Sequence, residues 1–580
     1  MDSTLTFIDC LILVVYLVGI AALGIYLARR SQRLDEFLMP RRFGATMMVT
    51  HAFGTGTASD QAVTVASATT QHGISGIWYV WQWLPITPIY WLIAPILRRF
   101  RAVTTADIFR LRYDARVAVL FAVVGIASMS IKIGVLLKGS AALIESGTGG
   151  LISAEFAIPL ITVLFVVYGA AGGLAAAIVT DFVQGILTLV FSFILLPYVL
   201  SAAGGIVGIK ETLQSTSGGG SMLSLVAPGY IGPFFICMLS IQGLVGVIAQ
   251  PHVLGTCAAG KTETEGRIGF LVGNLLKRVC TVAWCLTAIA AVVWYLKQGQ
   301  SLEAIRSNQA DNIYGNVARE FLPNIFPGLL GIFLAAILAS IMSSCDSFMI
   351  AAAGLFTENI YRPIKRDQSE QHYIWTVRIV ALVVVLGGLI FAYWLQDVVQ
   401  GLTIWLKLPA MMGIPLWLGI FWRRATAAGA WACVIAGFAA WWLTAQSWFV
   451  DRLAQLSLSH SWRLIVSDQD QLQIYEPWKI VFYLTTALTA GIVVSLLTRR
   501  VDAKQLEEFF ELLVTPVKRG EQVETPCTIP KGSIDPKTRR RSFWLGDFFV
   551  PVLSRSSWIG LVIGYACVTA IIVWFVWLFT

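Results

Sequence analysis

ASIMSSCDS, residues Ala339–Ser347, places four hydroxyl groups and one carboxylate inside a long apolar segment. An ionisable residue at the centre of a membrane-spanning helix costs roughly 2.5 to 3.5 kcal/mol on insertion scales, so such residues face a cavity, a partner or an ion. At 3.6 residues per turn, one broad helix face carries Ser340, Ser343, Ser344, Ser347 and Asp346. Hard oxygen ligands on one face suit a small alkali cation. The stretch therefore indicates a cation site, although small residues at these positions also fit close helix packing.

The composition around this stretch is that of a polytopic membrane protein. Of 580 residues, 57% are hydrophobic and only 13% are charged, whereas a soluble domain has about 25% charged residues. A span needs about 20 mostly apolar residues, and the candidate segments, about fourteen in all, begin near residues 6, 44, 74, 117, 152, 176, 230, 276, 326, 373, 398, 424, 476 and 556. We therefore expect an all-α polytopic membrane protein.

Positive charges between these segments predict the orientation in the membrane. Lys and Arg accumulate in short cytoplasmic loops, and the loops after the first, third and eleventh segments carry Arg29, Arg30, Arg33, Arg41, Arg42, Arg98, Arg99, Arg101, Arg110, Arg112, Arg116, Arg423 and Arg424. An even number of spans then puts both termini outside, in a plasma (inner) membrane. The net charge of +9 reflects these inner loops beside anionic lipid and not nucleic-acid binding.

Two of the spans are interrupted at mid-depth. In the second, Gly54–Thr57 is followed by Ser59–Gln61, and in the seventh, Gly243 and Gly246 precede Gln250–His252. Proline removes a helix hydrogen bond and glycine weakens a helix, and freed backbone groups at membrane depth are tolerated only around a cavity. Interrupted helices at corresponding positions of two halves are typical of a transporter with an inverted repeat, whose opened carbonyls bind Na⁺ or H⁺ near the midplane.

These motifs resemble those of the sodium/solute symporters, a family that includes proline permeases and sodium/glucose and sodium/sialic acid transporters. The residues that carry the resemblance are Asp35–Leu38 with Arg41 and Arg42, Gly172–Leu174 with Thr180–Gln184, Gln250–His252, Met342–Ser347 and Leu355–Tyr361. The resemblance covers most of the chain. It implies a five-plus-five inverted-repeat transporter core, formed by spans two to eleven of about 14 transmembrane helices, with sodium-coupled alternating access.

The span pattern and the resemblance together divide the chain into five parts. Residues 1–43 form the first transmembrane helix and an inner loop, and residues 44–422 form the transport core. Peripheral transmembrane helices at 423–498, a basic cytoplasmic segment at 499–555 and a last transmembrane helix at 556–580 follow. The basic segment is too short for an attached catalytic domain of ordinary size.

The resemblance also implies a cation site shared by the family. Its ligands here are the backbone carbonyls of Gly54, Thr57 and Ser340 and the hydroxyls of Ser343 and Ser344, with Na⁺ as the coupling ion. A second cation site, found in some members, corresponds to Asp181, Ser343, Asp346 and Ser347. The carboxylate at Asp346, where some members have a hydroxyl, strengthens cation binding and also suits a proton.

The residues expected to contact the solute follow from the resemblance and from unusual charges. Gln61 matches a substrate-contacting glutamine of the sugar transporters, while Gly243 and Val247 stand where proline permeases place aromatic groups, which argues against proline. Buried lysines need either a counter-charge or a lowered pKa. An anionic solute such as a carboxylate, or Asp60 instead, supplies a counter-charge. The remaining candidates are Lys132 in the fourth span and Lys407 in the eleventh, beside Trp405.

The sequence thus predicts a sodium-coupled secondary active symporter that imports a small polar solute, with the solute and the lipid bilayer as its partners. A transporter-like solute sensor or receptor and a proton-coupled symporter are the alternatives. We expect no enzyme, because the five histidines form neither a metal-ligand spacing nor a nucleophile motif. We also expect no nucleic-acid partner and no obligate protein partner.

Overall fold

The computed structural model describes residues 5–28, 34–227, 230–468, 471–523, 525–530 and 542–580. Three arginines used above for the orientation, Arg29, Arg30 and Arg33, and residues 531–541 of the basic segment lie outside these ranges. Within them the chain is mostly α-helical, and its strands form two short antiparallel hairpins. The helical architecture expected from the sequence is therefore present.

The first part of the chain contains the interrupted second span. Its helices are α1 (Phe7–Ala28), α2 (Leu34–Leu38), α3 (Ala45–Gly54), α4 (Ser59–His72), α5 (Trp78–Trp81), α6 (Tyr90–Arg99), α7 (Thr105–Arg112), α8 (Ala115–Gly147), α9 (Ala154–Ile194), α10 (Leu196–Ala202) and α11 (Gly205–Ser215). The two halves of the interrupted span are α3 and α4, which are separated by residues 55–58.

The second part of the chain contains another interrupted span, in which two helices meet at a bend of 69°. These two helices are α12 (Pro233–Val247) and α13 (Pro251–Ala258). The helices that follow are α14 (Glu263–Lys297), α15 (Leu302–Gln309), α16 (Ile313–Ile325), α17 (Leu329–Phe356), α18 (Arg362–Ile364), α19 (Glu370–Trp394), α20 (Val398–Phe421), α21 (Ala427–Thr444), α22 (Ser447–Ala454), α23 (Ser457–Ser461), α24 (Glu476–Leu497), α25 (Ala503–Val514) and α26 (Arg555–Phe579). The hairpins are β1 (Ile465–Asp468) with β2 (Gln471–Ile474), and β3 (Ser542–Leu545) with β4 (Phe548–Pro551).

A glycine inside α9 makes the turn between the fifth and sixth predicted spans. Gly173 has φ 64° and ψ −172°, a backbone conformation open essentially to glycine alone. A Cβ at this position would come within 2.7 Å of the Phe37 ring. The glycine therefore permits both the turn and the close approach, and a separate apolar span, Gly173–Ala202, begins there.

Within the described residues, nine helices are long and apolar enough to cross a membrane, or ten if the bent α12–α13 pair counts as one span. The sequence predicts about fourteen. The other predicted spans are shorter apolar helices, Phe7–Leu23 and Ala154–Val166, or interrupted ones, α3–α4 and α5–α6. Interruption shortens each half of a span and adds polar residues, so these segments do not qualify as single long apolar helices. The count of fourteen therefore stays a prediction.

The central helix of the packing is α17. It contacts α1, α8, α9 and α19, while α14 packs along α3 and α20 packs on α12 and α8. The whole stretch of α17 from Ala335 to Ile350 is buried. Its polar residues therefore face other helices and not lipid, as the polar pattern of the stretch predicts.

The structure corrects the start of the eighth span. Glu265 Oε2 accepts a hydrogen bond from the Thr262 backbone N–H at 2.8 Å, and Thr262 Oγ1 accepts from the Thr264 N–H at 3.2 Å. This capping box fixes the N-terminus of α14 at Glu263, instead of near residue 276. Lys277 consequently lies well inside the helix and not at its end.

The described part of the basic segment packs against the ends of α6 and α14. Arg101 Nε lies 2.5 Å from Glu521 Oε1. Arg99 pairs with Glu263 at 2.8 Å and also donates to the Leu513 carbonyl at 3.1 Å. The segment is therefore attached to the helical body by the buried Arg101–Glu521 ion pair, by the hydrogen bond from Arg99 to Leu513 and by α25.

Candidate functional site: a broken helix between a serine face and a charged cavity

The break between α3 and α4 opens onto the serine face of α17. Ser344 Oγ donates to the carbonyl of Gly54 at 3.1 Å, and Ser340 Oγ accepts from the backbone N–H of Ser59 at 3.2 Å. A Cβ at position 54 would come within 2.6 Å of Ser343 Oγ, so glycine permits this close approach of α3 to α17. The chain therefore contacts α17 on both sides of the missing helical turn.

The five residues predicted to bind sodium lie together at this junction. They are Gly54, Thr57, Ser340, Ser343 and Ser344, and all are buried. The Thr57 backbone N–H donates to the Gly54 carbonyl at 3.3 Å, which places it beside the other four. The available atoms are carbonyl and hydroxyl oxygens, the ligand type that hard cations take. By donor type and burial, the junction fits Na⁺.

A buried carboxylate adjoins the junction from α9. Asp181 Oδ1 accepts a hydrogen bond from Ser343 Oγ, and Asp181 Oδ2 lies 2.6 Å from His51 Nδ1. Thr55 Oγ1 lies 3.2 Å from the same histidine nitrogen and 3.1 Å from Ser347 Oγ. Three of the four residues predicted for a second cation site therefore gather around a histidine that the sequence analysis did not select.

The fourth of these residues, Asp346, is buried on another side of α17. Its carboxylate is close enough to the Tyr16 hydroxyl of α1 to act on it electrostatically, and Gln184 Nε2 donates to that hydroxyl at 3.4 Å. Successive residues of a helix point about 100° apart. This rotation turns Asp346 toward α1, while Ser347 faces Thr55.

A cavity adjoins the break on the side of α8 and α14. Asp60 of α4 and Lys132 of α8 form an ion pair with 2.7 Å between Oδ2 and Nζ. The Lys132 ammonium lies 4.7 Å from the centre of the Trp405 ring, within cation–π range. Gln61 and Val247 also line the cavity. Five of the seven residues predicted to contact the solute thus share one cavity.

A lysine of α14 enters this cavity. Lys277 lines it, and a Cβ on Gly56 would come within 2.6 Å of the Lys277 ammonium nitrogen. A glycine at position 56 therefore leaves room for the ammonium group directly beside the break. In the part of the chain that the structure describes, the Lys277 ammonium has neither a salt bridge nor a hydrogen-bond partner.

The charges that line the cavity do not cancel. Arg278 follows Lys277 on α14, and its guanidinium lies 5.6 Å from the centre of the Trp83 ring. With Lys132 the lining has three cationic side chains, whereas Asp60 is the one carboxylate among the described residues that line it. The cavity is therefore electropositive and suits an anionic group.

Two residues predicted to contact the solute lie elsewhere. Gly243 packs behind the cavity wall, where a Cβ would meet the Trp83 ring at 3.2 Å. Lys407 forms a salt bridge with Glu476 of α24 at 3.0 Å and is not part of the cavity lining. Residues two apart on a helix point in nearly opposite directions. The expectation that Lys407 faces the same cavity as Trp405 is therefore corrected.

The sequence analysis missed two polar residues, Lys277 and His51. A span boundary near residue 276 puts Lys277 at a membrane edge, whereas the Thr262 capping box is the sequence signal for an earlier start and a deeper lysine. No comparable signal pairs His51 with Asp181, because the two residues are 130 positions apart. Only the packing of α3 against α9 brings them together.

Comparison with known proteins places these observations in a family. The profile of the Sodium:solute symporter family matches residues 37–437. The Sodium/pantothenate symporter of Escherichia coli is 27% identical over 454 residues, which make up 73% of this chain and 88% of that protein. The Sodium/proline symporter of Salmonella typhimurium is 26% identical over 451 residues, or 73% of this chain and 85% of that protein.

A solved structure is similar in fold. It shows a Na⁺-coupled sialic acid symporter in a substrate-bound outward-open state, with a TM-score of 0.66 and 18% identity over 86% of this chain and 99% of that chain. The coupling ion of the present protein is Na⁺, and its substrate is a small-molecule solute. The chain belongs to the sodium:solute symporter family and is an integral membrane transporter, not an enzyme.

Proposed function

We propose that the protein imports a small carboxylate anion together with Na⁺ by alternating access. The observation that carries the proposal is the charge of the cavity beside the α3–α4 break, where three cationic side chains accompany one carboxylate. Buried charges are stable only when they are paired. A solute that brings its own negative charge completes the balance in this cavity.

Lys277 is the residue that we assign to the solute carboxylate. Asp60 and Lys132 already neutralise each other across 2.7 Å, so the unbalanced charge belongs to Lys277 and Arg278. Of these two, Arg278 donates to the Val80 carbonyl at 3.0 Å, which leaves the Lys277 ammonium with the greater need for a partner. Neutral amides and polyols do not supply a counter-charge and are expected to bind less well.

The proposed sodium ligands are the carbonyls of Gly54, Thr57 and Ser340 and the hydroxyls of Ser343 and Ser344. A cation held there would fix the end of α3 against α17. Gly56, which contacts Lys277, lies within the same short connection between α3 and α4. Sodium and solute would therefore order one backbone segment from its two sides, and each would raise the affinity for the other by the same factor.

The names of two similar proteins agree with a carboxylate solute. Pantothenate and sialic acid both carry a carboxylate group, and the symporters named for them are similar to this chain in sequence and in fold, respectively. Relatives named for proline and myo-inositol carry a zwitterion and a neutral polyol. The choice among these classes therefore depends on the cavity charge and not on relatedness.

The transport cycle that we propose uses a five-plus-five inverted repeat of predicted spans two to eleven. The interrupted pairs α3–α4 and α12–α13 stand at corresponding positions of the two halves, as in transporters whose sites lie near the midplane. The likeness in fold to the sialic acid symporter supports this arrangement. An even number of spans with arginine-rich inner loops places both termini outside, in the plasma membrane.

The test is transport by the purified full-length protein in liposomes, with carboxylates, their isosteric amides and neutral polyols as solutes. We expect one or more carboxylates to accumulate against a gradient when an inward Na⁺ gradient is present, and the matching amide not to accumulate. Preferential accumulation of an amide or a polyol would reject the carboxylate assignment.

The same preparation separates the two alternatives from symport. A solute that raises the thermal midpoint by binding the native state, yet never accumulates, would indicate a sensor or receptor. Accumulation driven by a proton gradient in the absence of Na⁺ would indicate a proton-coupled symporter.

A further inference from the structure

We infer that the His51 imidazole takes the place of a second coupling cation at Asp181, so that a single Na⁺ accompanies each solute. The inference rests on the symport proposed above and deepens it by fixing the ion stoichiometry. It concerns the residues that correspond to a second cation site in some members of the family. Of these, Asp181 and Ser343 are in direct contact, and Ser347 is linked to His51 through Thr55.

Both carboxylate oxygens of Asp181 are already engaged by protein groups. Oδ1 accepts from Ser343 Oγ, and Oδ2 lies 2.6 Å from His51 Nδ1. The Ser347 hydroxyl is held by Thr55 at 3.1 Å. A second cation would have to displace or share these contacts, because both oxygens of the fully buried Asp181 already have protein partners.

The position of His51 explains how an imidazole can replace an ion. His51 is fully buried on α3, one helical turn before Gly54. With its hydrogen on Nδ1, the imidazole donates a hydrogen bond to Asp181 Oδ2, and that hydrogen occupies the side from which a cation would have to approach the oxygen. Neither His51 nor Asp181 has to gain or lose a proton for the imidazole to occupy this position.

The number of sodium ions decides whether the membrane potential drives transport. One Na⁺ moving with one monovalent carboxylate carries no net charge, so the potential does not contribute. A second Na⁺ would add one net positive charge, and 100 mV would then change the accumulation ratio about 40-fold. Single-sodium transport is therefore expected to follow the sodium concentration gradient alone.

The experiment measures sodium stoichiometry in two ways on the full-length protein. First, the thermal midpoint of the purified protein is titrated with NaCl at constant ionic strength, without solute; wild type is expected to saturate with a Hill coefficient of about one. Second, the ratio of radioactive sodium to solute entering liposomes is expected to be about one, and an imposed potential is expected to leave uptake unchanged.

Three variants test the role of the imidazole. His51→Ala leaves Asp181 buried without its partner, which favours an ion in its place, so the Hill coefficient and the flux ratio should rise toward about two. His51→Gln keeps a side-chain N–H donor and should stay at about one. The control, His72→Ala, removes a histidine at the end of α4 that stacks on Tyr230, and should behave as wild type.

A coefficient or flux ratio of about two in wild type would overturn the inference while leaving carboxylate symport intact. An unchanged single-sodium ratio in a folded, active His51→Ala protein would also overturn it. If His51→Ala does not fold, the Hill coefficient and the flux ratio of wild type and of His51→Gln test the inference. A single-sodium titration without transport of any carboxylate would support the inference and reject the proposed solute.

Discussion

The serine junction and the charged cavity are neighbours, yet their polar groups are arranged in opposite ways. At the junction, hydroxyls and carbonyls of Ser340, Ser344 and Gly54 bond to one another or to nearby backbone. In the cavity, the Asp60–Lys132 pair is accompanied by Lys277, which forms no salt bridge with any of the described residues. One region is balanced without a ligand, and the other is not.

From this difference we expect ion coupling to depend on the oxygen atoms of the junction and solute selectivity to depend on the charged side chains of the cavity. Neutral oxygens can bond to each other in the absence of an ion and turn to it when it arrives, so helix packing alone can maintain a cation site. An unpaired buried ammonium is unstable until an anion arrives. Ion binding should therefore depend on how α3 meets α17, and solute choice on the charge of α14.

The largest expected effect comes from the serine junction. The double variant Ser343→Ala and Ser344→Ala removes two oxygen ligands, and sodium-stimulated uptake should be abolished while the protein still reaches the membrane. Sodium titration of the thermal midpoint is the direct measurement. Ser192→Ala, which loses a buried hydroxyl that donates to the Thr188 carbonyl, is the matched control. Unchanged sodium dependence in the double variant would reject the junction as the ion site.

A carboxylate introduced beside the cavity should weaken solute binding while sodium binding at the junction is retained. Gly56→Asp would place a negative charge beside the Lys277 ammonium, and the internal pair should lower solute affinity by about 100-fold or more, as a competing counter-ion would. Sodium should still stabilise the protein. Gly56→Asn adds nearly the same volume without charge, so equal losses in both variants would mean that space and not charge is responsible.

Removal of the ammonium should have a smaller effect. Lys277→Gln replaces a charge-assisted contact by a neutral one, and a contact of about 1.5–3 kcal/mol predicts a rise in the KM for the carboxylate of about 10- to 100-fold. Uptake kinetics in liposomes measure it, with Lys138→Gln on α8, a lysine that is not part of the cavity lining, as the control. Equal kinetics in Lys277→Gln and wild type would show that Lys277 does not bind the solute.

The smallest effect should be a change in selectivity. Asp60→Asn leaves Lys132 without its partner and raises the positive charge of the cavity by one. If the added attraction is about 1 kcal/mol, dicarboxylates should gain roughly fivefold over monocarboxylates in competition for uptake. Asp60→Asn combined with Lys132→Met removes the pair as a whole and should restore the wild-type preference. A preference that persists in the double variant would contradict the charge argument.

The sequence was informative where one helix or one short segment contains the whole signal. Ser340, Ser343 and Ser344 share a face because they are spaced by helical turns, and Gly54 and Thr57 belong to one break in one span. The pairing of these two segments came from the family resemblance. In the structure they lie in direct contact.

The sequence was less informative where the direction of a side chain or a distant partner decides. Lys407 is two residues after Trp405 but forms a salt bridge with Glu476. Helix periodicity predicts that the two side chains point in nearly opposite directions, but it does not say which of them faces the cavity. The position of Lys277 could be predicted only with the correct start of α14 at Glu263. The pairing of His51 with Asp181 depends on the packing of α3 against α9, and no local sequence pattern predicts that packing.

The attachment of the basic segment has a practical consequence for anyone who shortens this chain. Arg101 is shielded from solvent by Glu521 and by the carbonyls of Thr515 and Pro516. A truncation near residue 498 would remove all three of these groups and leave the guanidinium without its carboxylate partner. Breaking a buried ion pair in this way commonly costs about 3–5 kcal/mol. The described residues between 513 and 521 therefore contribute to the stability of the helical body.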